Sequence, residues 1–239
     1  MRYHFLGIPI LTAQTDEEWF PPLDRVGPEG LVCLGGQPTP RRLLAAYRQG
    51  IFPWYSEGEP VAWFSPDPRA IFEFEHFHVP RRLARTIRQG KFHLTINQAF
   101  AEVVRGCARR PDGETWITRR LLRTYLELHK RGFAHSVESW YGDELAGGIF
   151  GIAIGGFFSG ESMFYRISDA SKVALVHLVE HLRQRGYVLF DIQVINDNTR
   201  RFGAVLIPRA EYLQRLQHAL TLPVTFTDSP PPLRPHAID

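Results

Sequence analysis

Three apolar runs in succession constrain this chain more than any other feature: AHSVESWY (134–141), ELAGGIFGIAIG (144–155) and GFFSGESMF (156–164). Only tight-turn pairs, Gly142-Asp143 and Gly155-Gly156, separate them. Such short glycine turns join antiparallel neighbours, so the spacing predicts a three-stranded antiparallel meander. One carboxylate, Glu161, stands inside the last run among aromatic residues. A buried ionised carboxylate is costly unless paired. Glu161 therefore either reaches solvent or a structural Arg, or is a site residue that receives a cationic ligand.

The meander is followed by a helix, DASKVALVHLVEHLRQRG, with Ser168 or Asp169 as its cap and Gly186 as its stop. Then come a strand, YVLFDIQVI, and the segments NDNTRRFG, AVLIP and RAEYLQRLQHAL. Asp191 and Gln193 are two apart on the strand, so they face one side of the sheet and need partners there. Meander, helix, strand, helix is the order of a GCN5-related N-acetyltransferase sheet. By that analogy the fold class is α/β (α+β), with a mainly antiparallel sheet. Enzymes of that type seat the coenzyme A pyrophosphate on bare N–H groups of a glycine-rich loop. The corresponding FYRISDASK has no glycine between Phe164 and Lys172, which argues against an ordinary acetyltransferase. Lys172, in the first helical turn, runs against the macrodipole. It either reaches solvent or contacts a nucleic-acid phosphate.

Upstream, 21–40 is dense in Pro and Gly and reads as loop. TPRRLLAAYRQG reads as a helix with Thr39 as N-cap, Pro40 first and Gly50 as its stop. WYSEGEPVAWFSPDPRAIFEF reads as a rigid aromatic connector, with a domain boundary near Pro66–Pro68. The expected organisation is a small N-terminal domain (1–66), a catalytic domain (67–228) and a disordered tail (229–239). Net charge is only +3, but residues 76–131 hold 13 Lys/Arg against four acids, leaving the remainder at −6. That asymmetry points to a polyanionic partner or to solvated helix faces. Arg81, Arg85 and Arg88 share one face of VPRRLARTIRQGK, and Arg119, Arg120 and Arg123 form the basic side of ITRRLLRTYLELHKRG. No apolar run reaches membrane-spanning length, and the N-terminus makes a poor signal peptide. Cys33 and Cys107 form no metal spacing, and His177 and His181 lack a third ligand. A cytoplasmic chain without metal follows.

GLVCLGG, IFPWYS, WFSPDPRA, ETWITR, HSVE, GESMFYRISDASK and FDIQVIND, in that order over about residues 20–215, resemble the leucyl/phenylalanyl-tRNA–protein transferase family. The resemblance implies transfer of Leu, Phe or Met from aminoacyl-tRNA to proteins starting with Arg or Lys, marking them for N-end-rule degradation. It implies no cofactor, no metal and no membrane. It gives Trp54 and Trp116 to the aminoacyl-adenosine site. It makes Gln193 the group that positions the attacking amine, with Asp191 orienting and polarising Gln193; Glu161 is then read as meeting a positive charge or an amine at the acceptor end. It puts the side-chain pocket among Ile149, Phe158, Leu175, Leu178, Leu182 and Phe190; 175, 178 and 182 also share a helical face. Family members carry aromatics where Leu178 and Leu182 stand, and an aliphatic at Phe190. The tRNA contacts expected are Arg81, Arg85, Arg88, Arg119, Arg120 and Lys172. A coenzyme A-dependent acetyltransferase and a non-catalytic RNA-binding module are the alternatives.

Overall fold

The computed structural model describes residues 3–5, 7–109 and 115–228. The expected disordered tail, 229–239, lies outside the described residues, as does most of the RPDGETW loop. The described chain folds around two sheets. The first holds β1 (Tyr3–Phe5), β2 (Ile8–Leu11), β3 (Leu31–Gly35), β4 (Phe52–Pro53) and β5 (Ala62–Phe64), in the order β1-β2-β3-β5-β4. Helix α1 (Pro40–Arg48) connects β3 to β4, and Thr39 caps it by accepting from the Arg42 N–H, as its sequence predicts. Strand β3 corrects the reading of 21–40 as loop throughout: LVCLG is a short apolar run, five residues among prolines and glycines, and the neighbours β2 and β5 supply its hydrogen bonds.

The second sheet is built from β6 (Arg69–Phe72), β7 (His93–Ile96), β8 (Ala134–Tyr141), β9 (Glu144–Ile154), β10 (Phe157–Tyr165), β11 (Leu189–Gln193) and β12 (Ala204–Ile207). Its order is β12-β6-β11-β10-β9-β8-β7, and only β10–β11 pair in parallel. The meander is present: Tyr141 pairs with Glu144 and Ile154 with Phe157, across the predicted turns. Strand β6 was not legible. Its residues fall within the expected connector, yet it lies inside the sheet between β11 and β12 and is buried along its length. An arginine opens it, and an arginine masks an apolar strand signal.

Both faces of this sheet are covered, so its strands read as continuous apolar runs rather than as alternation. Phe150, Ile152, Phe157 and Leu189 face one core, shared with α1, α3 (Phe100–Ala108), α4 (Arg119–Lys130) and α7 (Arg209–Leu220). Ile149, Ala153, Phe158 and Phe190 face the other, beneath α5 (Ala170–Arg185) and α2 (Arg81–Arg88). Phe157, Phe158 and Phe190 are at most 1% exposed, each stabilising the fold by roughly 1.5–3 kcal/mol. Asp169 stands at the N-cap of α5 but does not cap it. Its backbone is left-handed, and its carboxylate turns to Lys172 Nζ at 2.9 Å.

Gly151 lies where β9 and β10 approach most closely. A Cβ there would come 2.1 Å from the Ser159 carbonyl oxygen and 2.5 Å from the Phe158 ring. Gly151→Ala is expected to lower stability by about 3 kcal/mol. Gly27→Ala, where a Cβ meets nothing within 4 Å, is the neutral control. Chemical denaturation midpoints of the two variants check this.

Candidate active site

A charge knot lies at the centre of the second sheet. Arg69 on β6 grips Asp191 on β11 with two parallel bonds, Nε to Oδ1 at 2.9 Å and Nη2 to Oδ2 at 2.7 Å. Both side chains are at most 1% exposed. Tyr212 of α7 donates to Asp191 Oδ2 at 2.9 Å, and Arg69 Nη1 donates to the Gly50 carbonyl at 3.0 Å. Burial opposes the guanidinium charge, but the adjacent Asp191 carboxylate holds its pKa above the ordinary value.

Asp191 also accepts the backbone N–H of Gln193 at 2.8 Å. Gln193 has φ +65°, and the register against β6 shifts between Asp191 and Gln193. Asp191 thus contacts Gln193 through its backbone N–H rather than its side chain. Strand β10 departs at the same level. Its pairing with β11 runs from Phe157↔Leu189 to Ser159↔Asp191, and its register against β9 slips between Gly160 and Ser162. Phe158 and Glu161 are three apart, and a bulge at Gly160 is expected to bring both to one face; the bulge is present but does not do so. It leaves Phe158 and Glu161 on opposite faces, with Glu161 beside Ser159 in the first core.

Glu161 accepts from Tyr125 Oη at 3.0 Å, Ser159 Oγ at 2.8 Å and Gln193 Nε2 at 3.0 Å. Tyr47 Oη lies 3.4 Å behind Tyr125 Oη. Glu161 is 9% exposed, which excludes the solvent-reaching alternative. Burial pushes its pKa up to about 7, against the opposing pull of these donors. Ser159, Tyr47, Tyr125, Arg69 and Tyr212 were all missed. The three tyrosines lie on helices remote in sequence, and only packing brings them here.

A cleft of about 470 Å³ opens where β10 and β11 part. Glu161 and Gln193 line it with Trp54, Trp116, Ile149, Leu175 and Phe190, all expected. Met163, Phe72 and Asn198 line it too, and sequence reasoning missed them. Phe158, Leu178 and Leu182 do not line it. They are at most 1% exposed and pack behind it, Phe158 edge-on to Phe190 at 5.4 Å. Their helical or strand spacing identifies the buried face but not which part of that face is hollow. Trp54 is half exposed, while Trp116 meets Tyr125 edge-on at 6.5 Å.

The basic residues divide. Arg81, Arg85 and Arg88 are exposed on α2, over the second core. Arg119, Arg120 and Arg123 are exposed on α4, over the first core and on the opposite side of the sheet. They share a concave surface with Glu57 and Glu127, and Glu57 accepts the Arg119 N–H at 2.9 Å. Among the described residues no group of three metal-ligating side chains occurs. His181 bonds the Phe226 carbonyl, and both cysteines are buried, with burial pushing Cys33 up to about 12. Among the described residues no helix is long and apolar enough to cross a membrane. Glu138, in the HSVE motif, belongs to the framework: it accepts from Thr95 and Ser136.

Comparison with known proteins gives a consistent result. The family described as leucyl/phenylalanyl-tRNA protein transferase matches residues 71–217, and the N-terminal domain of that family matches 36–67. Proteins named leucyl/phenylalanyl-tRNA–protein transferase are similar over nearly the whole chain. The one from Magnetococcus marinus is 51% identical, covering 91% of this chain and 95% of its own. The one from Syntrophotalea carbinolica is 48% identical, covering 88% and 93%. Among solved structures, L-PGS from Bacillus licheniformis is 12% identical, covering 64% of this chain and 50% of that one, with a TM-score of 0.37, too slight a likeness to carry an argument.

The charge knot makes a prediction about stability. Arg69→Met strands a buried carboxylate and Asp191→Asn strands a buried guanidinium, so each is expected to cost about 3–5 kcal/mol. The double variant should cost clearly less than the sum of the two. Additive losses in urea unfolding would show that the pair is not coupled.

Proposed function

The chain belongs to the leucyl/phenylalanyl-tRNA–protein transferase family, and from that premise we propose how its cleft performs the transfer. The protein is an aminoacyltransferase that moves leucine or phenylalanine from aminoacyl-tRNA to a protein, the step that commits the acceptor to N-end-rule degradation. Its acceptors begin with Arg or Lys, methionine is a further donor residue, and the reaction takes place in the cytoplasm without metal. The second sheet is of the acetyltransferase type. That reading is supported by the meander, by the helix α5 and by a parallel β11 that parts from β10 at the site. Residues 1–66 form the small N-terminal domain and 67–228 the catalytic one, and the passage from first to second sheet between β5 and β6 supports that division.

The observation that carries the reading is the composition of the cleft. It combines an apolar lining of Ile149, Met163, Leu175 and Phe190 with two indoles and the hydrogen-bonded pair Glu161 and Gln193, and Ser162, Asn196, Asn198 and Thr199 add further polar groups. The apolar lining takes the donor side chain. Trp54 and Trp116 hold the terminal adenine by stacking. An aminoacyl ester is already activated, so the site needs to position and to move a proton. The acceptor α-amine, of reference pKa about 7.7–8.0, is partly neutral at pH 7. Its nitrogen attacks the ester carbon, the C–N bond forms, and the C–O bond to the ribose breaks. The amine loses one proton and the ribose oxygen gains one.

An ionised carboxylate only accepts, so Glu161 holds the NH₂ side of Gln193. The Gln193 carbonyl oxygen is thereby left for an N–H of the attacking amine, directing its lone pair at the ester. Glu161, with a pKa near 7, takes up the departing proton. Asp191 already holds Arg69, Tyr212 and the Gln193 N–H, and it orients without transferring a proton. Arg81, Arg85, Arg88, Arg119, Arg120 and Lys172 contact tRNA phosphates. A single-turnover assay with Leu-tRNA and a peptide starting with Arg tests the whole reading, and no transfer would sink it.

Gln193→Ala should lower the rate of transfer about a hundredfold, by loss of attack geometry, with donor affinity nearly unchanged. Glu161 works as the carboxylate, so activity should rise with pH through about 7. Glu161→Gln should lose that limb and keep only the ionisation of the acceptor amine. Rate profiles from pH 5.5 to about 9 with one Arg-starting peptide separate the two ionisations.

Trp54→Ala should weaken binding of a non-hydrolysable phenylalanyl-adenosine about tenfold to a hundredfold, as expected for one lost stacking contact. Calorimetric titration reads this directly, and unchanged affinity would remove Trp54 from the donor site.

A further inference from the structure

A second concavity, of about 260 Å³, adjoins the cleft. Asn198 lines both. The second is basic: Arg82 comes from α2, Lys172 from α5, and Arg201 from α6 (Asp197–Arg201). Lys172 is paired with Asp169, the one acid in the lining. Arg82 and Arg201 are exposed, and neither has an ion-pair partner among the described residues. The local balance is thus three cations against one carboxylate.

Two further facts raise the positive potential here. Helices α2 and α5 both begin at this concavity, and neither has an acid in its first turn or a side chain capping its first N–H groups. Their positive dipole ends therefore add to the cations, and Asp169 is the one acid of the lining to offset them. Arg82 and Lys172 stand in those first turns, where a cation is disfavoured unless an anion joins it.

We propose that this concavity binds the phosphodiester backbone of the nucleotides that precede the terminal adenosine of aminoacyl-tRNA. The proposal rests on the donor-cleft reading above and extends it outward. An adenosine held between the indoles has one covalent exit, its 5′ phosphate, and Asn198 is the lining residue common to the cleft and this basic site. Arg82 and Arg201 present planar forks suited to phosphate oxygens. Past them lies the exposed Arg81, Arg85 and Arg88 face of α2, so single-stranded backbone leaving the cleft meets cations continuously. The acceptor protein is excluded as the occupant, because it begins with a cation and would be repelled. The contacts are to backbone, so they position the strand without reading its bases.

The test compares two non-hydrolysable donors, amide-linked phenylalanyl-adenosine and the same molecule extended on its 5′ side by two cytidylates. Wild-type protein should bind the extended donor at least about tenfold more tightly, the scale of one or more charge-assisted bonds. Arg82→Ser/Arg201→Ser should lose that gain while keeping its affinity for phenylalanyl-adenosine, which also reports that the variant is folded. Its dependence of log affinity on log salt should flatten by about 0.7 for each phosphate contact removed. A variant that retains the full gain and the wild-type salt slope overturns the proposal and leaves the donor cleft standing. Failure of wild type to bind either molecule overturns the donor-cleft reading, and this one with it.

Discussion

The Arg69–Asp191 pair is the constraint on which the remaining structure depends. Removing two charges from water costs several kcal/mol per ion, and such a pair persists only where geometry and further hydrogen bonds offset that cost. Here they do. The guanidinium lies between the rings of Phe52 and Tyr212, with centroids 4.8 and 4.5 Å away, and bonds the Gly50 carbonyl. Asp191 takes four donor contacts, from Arg69 twice, Tyr212 and the Gln193 N–H. Those contacts join the loop after α1, the middle of the second sheet and the last helix. A wrong register of β6 against β11 would leave both charges unpaired, so the pair specifies the register as well as stabilising it.

The same carboxylate holds Gln193 in a left-handed backbone that a glutamine adopts at some cost. That conformation ends β11 just where β10 bulges, so the sheet opens into a cleft at its only parallel junction. The side chain of Gln193 is then set by a second, independent group, Glu161, itself held by Tyr125 and Ser159. Backbone and side chain of one residue are thus fixed by two carboxylates with different surroundings. One is charge-paired and saturated. The other is held by neutral donors only and has its pKa pushed to about 7. Environment alone separates an orienting role from one suited to proton transfer.

Charge is distributed by the same logic of placement. The basic segment 76–131 does not form one patch, because α2 and α4 cover opposite faces of the sheet. On α4 the arginines share their surface with Glu57 and Glu127. On α2 they continue from the concavity of Arg82, Lys172 and Arg201. The cations of α2, Lys172 and Arg201 therefore lie over one core and those of α4 over the other.

The sequence by itself determined whatever short-range physics controls. Glycine turns set the meander, and Thr39 and Pro40 set the start of α1; the family resemblance, not local physics, singled out Trp54, Trp116, Glu161 and Gln193, which line one cleft, and Asp191, which lies buried behind it. A bulge at Gly160, expected so that Phe158 and Glu161 could share one face, is present, but the two residues stay on opposite faces. Only the tertiary structure decided that β6 enters the sheet, since an arginine is a strand interior residue only if a carboxylate waits on the neighbouring strand. Only it decided that Phe158, Leu178 and Leu182 are core while Ile149, Leu175 and Phe190 line a cavity. Periodicity reports which face is buried, whereas a cavity depends on where two strands cease to pair. The partners of Glu161 were hidden for the same reason: Tyr47 and Tyr125 lie more than a hundred and some thirty residues away along the chain, and no local pattern encodes a contact made by packing alone.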